Sequence, residues 1–458
     1  VNYLNSLVPT TVERGAVASR LGVAFGGRFF LLLAVGLIWL GPAFFDPRFV
    51  QAMIAWDALL LAAWGIDLLR LPRPGELKLA RSWSAPTALS VSTQVTLTLR
   101  NDSSTIVHAS ILDGVPLSLR NEPPRVELSA PPGREQAQSY TIRPVGRGQT
   151  KLGRAYLRYQ GPWRIAERWA EVPLEQSVSV YPDLEEAKRH TVYLVRSRQI
   201  EMEKRRSRPR GLGREFESLR EYQDGDDVRD ICWSASARRG KLVTRLYQIE
   251  RSQTVWIVLD CGRLMRARIG ALSKLDYAAN AALSLAQVAL YSGDRVGILS
   301  YGRSVKQRVP AARGSAHLRL LMEQLAVVKE ETAEGDHLQT ANRLLTDQKR
   351  RSLVVWLTDL AETAMTPEVI EAAARLMPRH LVLFLVIGQP DLGALAAREP
   401  ADEQEMFDVA AAQEVVHRRE ILLARLRERG ALALEVNSKV LSTTLVNSYL
   451  QVKERSQL

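Results

Sequence analysis

Two apolar runs in the C-terminal half of the chain end on an acid: VWIVLD closes on Asp260 and SLVVWLTD closes on Asp359. Uninterrupted apolar runs of this length are strands buried on both faces. In an open sheet of such strands, ligands gather beyond the carboxyl ends, where the strand order reverses. If the two runs flank that reversal, Asp260 and Asp359 become neighbours, and paired carboxylates suit a hard divalent ion such as Mg²⁺, which takes oxygen ligands and keeps several waters. A metal-dependent hydrolase or peptidase using the two acids is the alternative that this pairing raises. The enzyme signatures H-E-x-x-H, G-x-x-x-x-G-K-[ST] and G-x-S-x-G are absent and the six histidines are dispersed, so the expectation is a binding protein with no catalytic residues.

A second concentration of chemistry precedes Asp260. In GLGREFESLREYQDGDDVRDICWSASARRGKL, Glu and Arg alternate densely around Phe216, Tyr222, Ile231 and Trp233. Such a mixture suits a loop whose aromatics pack on a sheet while Arg–carboxylate pairs fix its course. The competing reading is a docking surface for a partner. The residues concerned are Glu215, Phe216, Arg220, Glu221, Tyr222, Gly225, Asp226, Asp227, Arg229, Trp233 and Arg238.

The elements that must position these residues follow from pattern. From residue 254 to residue 458, apolar strands alternate with helix-period stretches, which predicts an α/β domain with a doubly wound, open parallel sheet and helices on both faces. Residues 76–185 carry short alternating runs broken by Asn101-Asp102, Pro131-Pro132-Gly133 and Gly146-Arg147-Gly148, which predicts a small β-sandwich. Residues 186–253 are the linker and motif stretch. Residues 29–45 are apolar throughout and residues 49–69 nearly so, which predicts a transmembrane helical hairpin over 29–71. Asp57 falls within the second arm and is expected at a helix or oligomer contact, with an ion path as the alternative. Arg14, Arg20 and Arg28 precede the hairpin and Arg70, Arg73, Lys78 and Arg81 follow it. The positive-inside rule then places the N-terminal segment, residues 1–28, and the soluble domains in the cytoplasm.

The net charge of +12 raises nucleic acid as a partner. The densest cationic run, Lys204 to Arg210, lacks interleaved aromatics for stacking bases, and no specific nucleic-acid binding is expected. Two cysteines, Cys232 and Cys261, exclude a disulfide framework or a cysteine zinc site.

Residues 211–265 resemble the bacterial von Willebrand factor A-like family that carries the domain of unknown function 58. The resemblance rests on Glu215-Phe216, Leu219 to Tyr222, Gly225-Asp226-Asp227, Arg229, Ile231, Trp233, Ala237-Arg238 and Leu242 at the family's spacing. It implies a von Willebrand factor A-like fold and a membrane-anchored adaptor. The implied partner is a MoxR-type AAA+ ATPase, with which it would mature or remodel client proteins. The family's metal site uses Asp-x-Ser-x-Ser after the first strand. This chain has Asp260-Cys261-Gly262-Arg263-Leu264, so both serine hydroxyls are missing, and only Asp359 matches cleanly among the later ligands, with Thr332 or Asp336 as the loop candidates. A degenerate site that holds Mg²⁺ weakly or not at all is the expectation, with no other cofactor.

Overall fold

The structure is a computed structural model that describes residues 8–15, 20–183, 186, 189, 215–223, 228–248, 253–360 and 367–455. The chain divides into two compact units, Val1–Asp183 and Leu184–Leu458.

The first unit is built on antiparallel strands: β1 (Val12–Gly15), β2 (Arg20–Phe25), β3 (Leu77–Trp83), β4 (Thr93–Asn101), β5 (Val107–Asp113), β6 (Arg125–Ala130), β7 (Glu135–Ile142), β8 (Gly148–Leu152), β9 (Ala155–Gln160), β10 (Ala166–Val172) and β11 (Gln176–Val180). One sheet runs β1-β3-β4-β7, a second runs β2-β10-β9-β5-β6, and β11 pairs with β8. Alternation decides which side chains turn inward. Leu77 and Leu79 of β3 and Val95, Leu97 and Leu99 of β4 join Ile111, Leu157 and Tyr159 of the second sheet in one core. Arg81, which from sequence belongs with the cations flanking the apolar segment, instead lies inside this core. Its Nε donates to Asp113 Oδ2 at 3.0 Å and its Nη1 to the Leu174 carbonyl at 2.6 Å, while Tyr140 donates to Asp113 at 2.6 Å. β1 and β2 fall in the stretch read from sequence as an N-terminal segment. They are short and each lies at the edge of its sheet, where alternation is weakest.

Between β2 and β3 stand α1 (Gly27–Gly36), a 3₁₀ turn (Leu37–Trp39), a short helix (Leu40–Ala43) and α2 (Arg48–Arg70). The two-helix transmembrane hairpin is corrected here. Among the described residues only α2 is long and apolar enough to cross a membrane, while Gly27–Ala43 is shorter and interrupted around Gly36, Gly41 and Pro42, residues that loosen a helix. The arms do pack on each other: a β-carbon at Gly36 would come within 2.7 Å of the Trp56 ring and 3.3 Å of Asp57 Oδ1, so Asp57 sits at a helix contact.

The second unit holds β12 (Glu215–Glu221) paired with β13 (Val243–Gln248), and α3 (Trp233–Arg239) between them. Its main sheet is formed by β14 (Thr254–Asp260), β15 (Arg295–Tyr301), β16 (Val305–Ala312), β17 (Leu353–Thr358), β18 (Leu381–Gly388) and β19 (Leu432–Asn437), in the order β16-β15-β14-β17-β18-β19. The sheet is mixed rather than wholly parallel, because β16 returns antiparallel to β15 as a hairpin. On one face Trp256, Val258, Trp356 and Phe384 pack with α6 (His337–Asp347), α7 (Pro367–Leu376) and α9 (Glu403–Glu428). The alanine-rich α4 (Lys274–Tyr291) is buried along most of its length and packs beside α10 (Leu441–Glu454). α5 (Ser315–Val327) packs against α4, and α8 (Pro390–Ala396) against α9.

Candidate functional site

β14 and β17 are parallel neighbours, with Leu259 opposite Leu357, so Asp260 and Asp359 do emerge side by side at the carboxyl end of the sheet. Both are buried. What surrounds them decides their chemistry. Asp260 Oδ1 accepts the Gly262 amide at 2.8 Å and Oδ2 accepts the Thr358 hydroxyl at 2.6 Å. His337 Nδ1 donates to the Gly335 carbonyl at 2.9 Å, and the ring turns Nε2 toward Asp260 Oδ2 at 3.9 Å. Burial pushes the Asp260 carboxyl above its ordinary value, and His337, Thr358 and Gly262 work against that rise. Tyr301, His337 and Trp356 wall this corner, and Trp356 Nε1 donates to the Tyr301 hydroxyl at 2.6 Å.

Asp359 is bound to cations of the chain itself. Lys274, the first residue of α4, bridges to its Oδ2, and Arg419 of α9 donates to its Oδ1 at 3.1 Å while also bridging to Glu435. Lys274, Asp359 and Arg419 are all buried. Beside them opens a cavity of about 520 Å³ lined by Arg263, Arg266, Lys274, Gln389 and Arg419. A surround this cationic repels a divalent ion, and Lys274 and Arg419 supply the positive charge that such an ion would bring.

The missing serine at position 262 also has a steric reason. A β-carbon there would stand 2.8 Å from the Gly335 amide nitrogen and 3.0 Å from Asp260 Oδ1. The loop around Gly335 lies where a serine side chain would point. Asp336 serves as the N-cap of α6, accepting the Gln339 amide at 2.7 Å, and Thr332 is exposed. Among the described residues no three His, Cys, Asp or Glu side chains converge as metal ligands. The donor set therefore does not fit the divalent ion that the paired acids suggest. Lys274, His337 and Arg419 carry no sequence signal for this role, since each comes from a different helix remote from both acids.

The motif stretch is described in part. Ile231 is buried, and the Cys232 amide donates to the Val243 carbonyl at 2.8 Å, tying α3 to β13. Trp233 is the correction: expected to pack inward, it is 66% exposed, because it opens α3 on the outer side, and Val228 and Leu242 are exposed with it. Glu221 bridges to Lys241 at 3.1 Å, both well exposed, rather than to an arginine. Arg238 lies in the exposed last turn of α3, and Tyr222 donates its amide to the Leu242 carbonyl at 2.9 Å. Arg220 lies on β12 opposite Thr244. Gly225, Asp226 and Asp227, and the side chains of Glu215, Phe216 and Arg229, lie outside the described residues.

Residues 218–425 match the family described as "Protein of unknown function DUF58". The chain carries a DUF58 domain. The match begins within β12 and ends in α9, so this domain contains Trp233, both strand-end acids and the cations that neutralise Asp359. Over 182 residues the chain is 28% identical to "Uncharacterized protein Rv1480" of Mycobacterium tuberculosis, covering 39% of this chain and 56% of that protein. It is 25% identical over 203 residues to "Uncharacterized protein YeaD" of Bacillus subtilis, covering 44% of this chain and 48% of that protein. The chain thus spans about half the length of these curated relatives. Among solved structures, BatB from Bacteroides thetaiotaomicron is matched at 16% identity and a TM-score of 0.31, over 44% of this chain and 100% of that one. An uncharacterized membrane spanning protein from Vibrio fischeri is matched at 15% identity and a TM-score of 0.15, over 45% of this chain and 100% of that one.

Proposed function

We propose that this protein is a membrane-anchored, protein-binding adaptor whose α/β unit, of the von Willebrand factor A-like type, presents the motif stretch to a partner. The observation that carries the reading is the exposure of the apolar segment between β2 and β3. Phe44 and Phe45 at its tip are 89% and 88% exposed, and Leu31, Ile38, Ile54, Leu59 and Leu69 are exposed along its arms. A core helix of a soluble domain would bury such side chains, and hydrocarbon is the surrounding that satisfies them. A cleaved leader is disfavoured by pairing: β2 precedes the segment and β10 follows it, yet the two strands are hydrogen-bonded neighbours.

That pairing also shapes the insertion. The first arm, Gly27–Ala43, is about 25 Å long at 1.5 Å per residue and falls short of the roughly 30 Å hydrocarbon core. The segment therefore dips into the bilayer and returns to the side from which it left. Arg14, Arg20, Arg28, Arg70, Arg73 and Lys78 flank it, which favours the cytoplasmic face of the inner membrane. Exposed Trp233, Val228 and Leu242 supply the apolar anchors that a protein partner would cover. A MoxR-type AAA+ ATPase is the partner that the family resemblance suggests for that face.

Vesicle flotation tests the anchor. The intact chain, freed of detergent, is expected to float with phosphatidylcholine vesicles, and Phe44→Asp/Phe45→Asp to lose that association. A wild type that stays monodisperse in buffer and ignores vesicles would overturn the reading.

A further inference from the structure

The sheet that carries the apolar segment has a cationic cavity at its root. The cavity, of about 330 Å³, is lined on the outer face by His108 and Ser110 of β5, Arg125 and Ser129 of β6, Arg158 of β9 and by Arg164 in the loop between β9 and β10. Register fixes its height. His108, Gln160 and Glu167 form one row across β5, β9 and β10, and the next residue, Ala166, pairs with Phe25, two residues before α1 begins. With strand residues spaced about 3.3 Å apart, the inner end of the cavity lies level with the place where the helices leave the sheet.

The loop 161–165 makes that level rigid. The Gly26 amide donates to the Ile165 carbonyl at 2.6 Å, and Asp67 of α2 accepts the amides of Ile165 and Ala166 at 3.1 and 2.9 Å. The Arg70 guanidinium lies 5.0 Å over the Trp163 ring, and Arg28 reaches the Trp163 carbonyl at 3.4 Å. Indole and arginine side chains at one level are what a membrane–water interface favours.

Charge in the cavity is only partly answered by the protein. Arg158 is bridged to Glu167 at 2.5 Å. Among the described residues no carboxylate pairs with Arg125 or Arg164. Arg164 holds a left-handed backbone at φ 58°, uncommon for a residue with a side chain, and its Nη2 stands 3.1 and 3.2 Å from the two ring nitrogens of His108. Burial and the nearby charges of Arg164 and Arg28 lower the His108 value. The Ser129 hydroxyl sits 2.8 Å from His108 Nδ1. Glu127 also lines the cavity, and as a pure acceptor it suits a hydroxyl on the ligand while opposing a second negative charge.

We propose that this cavity binds the phosphate of an anionic glycerophospholipid with a hydroxyl-bearing headgroup, Arg125 and Arg164 taking the phosphate and Glu127 the headgroup hydroxyl. The proposal rests on the reading of the apolar segment as membrane-inserted, and two assays keep them separable. Flotation of the intact chain on phosphatidylcholine vesicles reports the segment alone. Titration calorimetry of the detergent-held chain with monomeric short-chain phosphatidylglycerol reports the cavity alone. Binding of that lipid is expected, with Arg125→Gln/Arg164→Gln weakening it about tenfold or more, leaving the melting temperature and flotation on phosphatidylcholine unchanged. Equal affinity in the double variant, or in short-chain phosphatidylcholine, would overturn the proposal. Inorganic phosphate binding as tightly as the lipid would assign the cavity to a free anion and overturn it as well.

Discussion

At the scale of single residues, two acids that stand alike in the sequence meet opposite environments. Asp260 is buried against the Gly262 amide, the Thr358 hydroxyl and His337, and its carboxyl is raised above its ordinary value, chiefly by desolvation. The folded chain therefore holds this proton more tightly than the unfolded chain. The stability that Asp260 contributes is full below the unfolded value and is lost as pH rises through the raised folded value. Asp260→Asn should accordingly melt at or above the wild-type temperature at neutral pH, with the gap closing in acid. A pH series of thermal melts checks the sign, and a gap that widens in acid would contradict it. Asp359 is held by Lys274 and Arg419. Removing one partner of a buried pair strands the other, so Lys274→Met should cost about 3–5 kcal/mol in denaturant unfolding. Addition of Mg²⁺ should recover none of it, because Arg419 still occupies the other oxygen.

At the scale of elements, the β-rich unit depends on the Arg81–Asp113–Tyr140 cluster that bridges its two sheets. Arg81 and Asp113 are fully buried and charge-complementary. Asp113→Ala should therefore cost about 3–5 kcal/mol, measured by urea titration of the intact chain in detergent. Burial and the Asp113 carboxylate raise the Tyr140 phenol, so no titration of this hydroxyl is expected in the working pH range. α3 behaves oppositely. Because Trp233 is exposed, Trp233→Ala should leave unfolding free energy within about 0.5 kcal/mol of wild type. The same variant should lose any partner recovered by cross-linking from native membranes. A large loss of stability would return Trp233 to a structural role.

At the scale of the whole molecule, the first unit encloses its apolar segment between strands of shared sheets, so the flanks of that segment lie on one side of any bilayer it enters. Single cysteines placed at Thr10 and Ser90, in a chain whose two native cysteines are buried, should react with a membrane-impermeant maleimide from the same side. Labelling from opposite sides would require β1 or β2 to leave its sheet. Much of this architecture is legible in order and pattern: apolar runs gave the α/β unit, alternation gave the β-rich unit, and an all-apolar stretch gave the exposed apolar helices between β2 and β3, because each is a local pattern. Sequence placed Asp260 and Asp359 at strand ends, and their adjacency followed only if the two strands flank the reversal of strand order, a condition that the pairing of β14 with β17 meets. It did not foresee that β1 and β2 complete the sheets, that Trp233 faces outward, or that Lys274 and Arg419 neutralise Asp359. Those facts depend on which helix and which edge meet across long separations, and side chains as far apart as Lys274 and Arg419 are matched only when packing brings α4 and α9 to the same strand end.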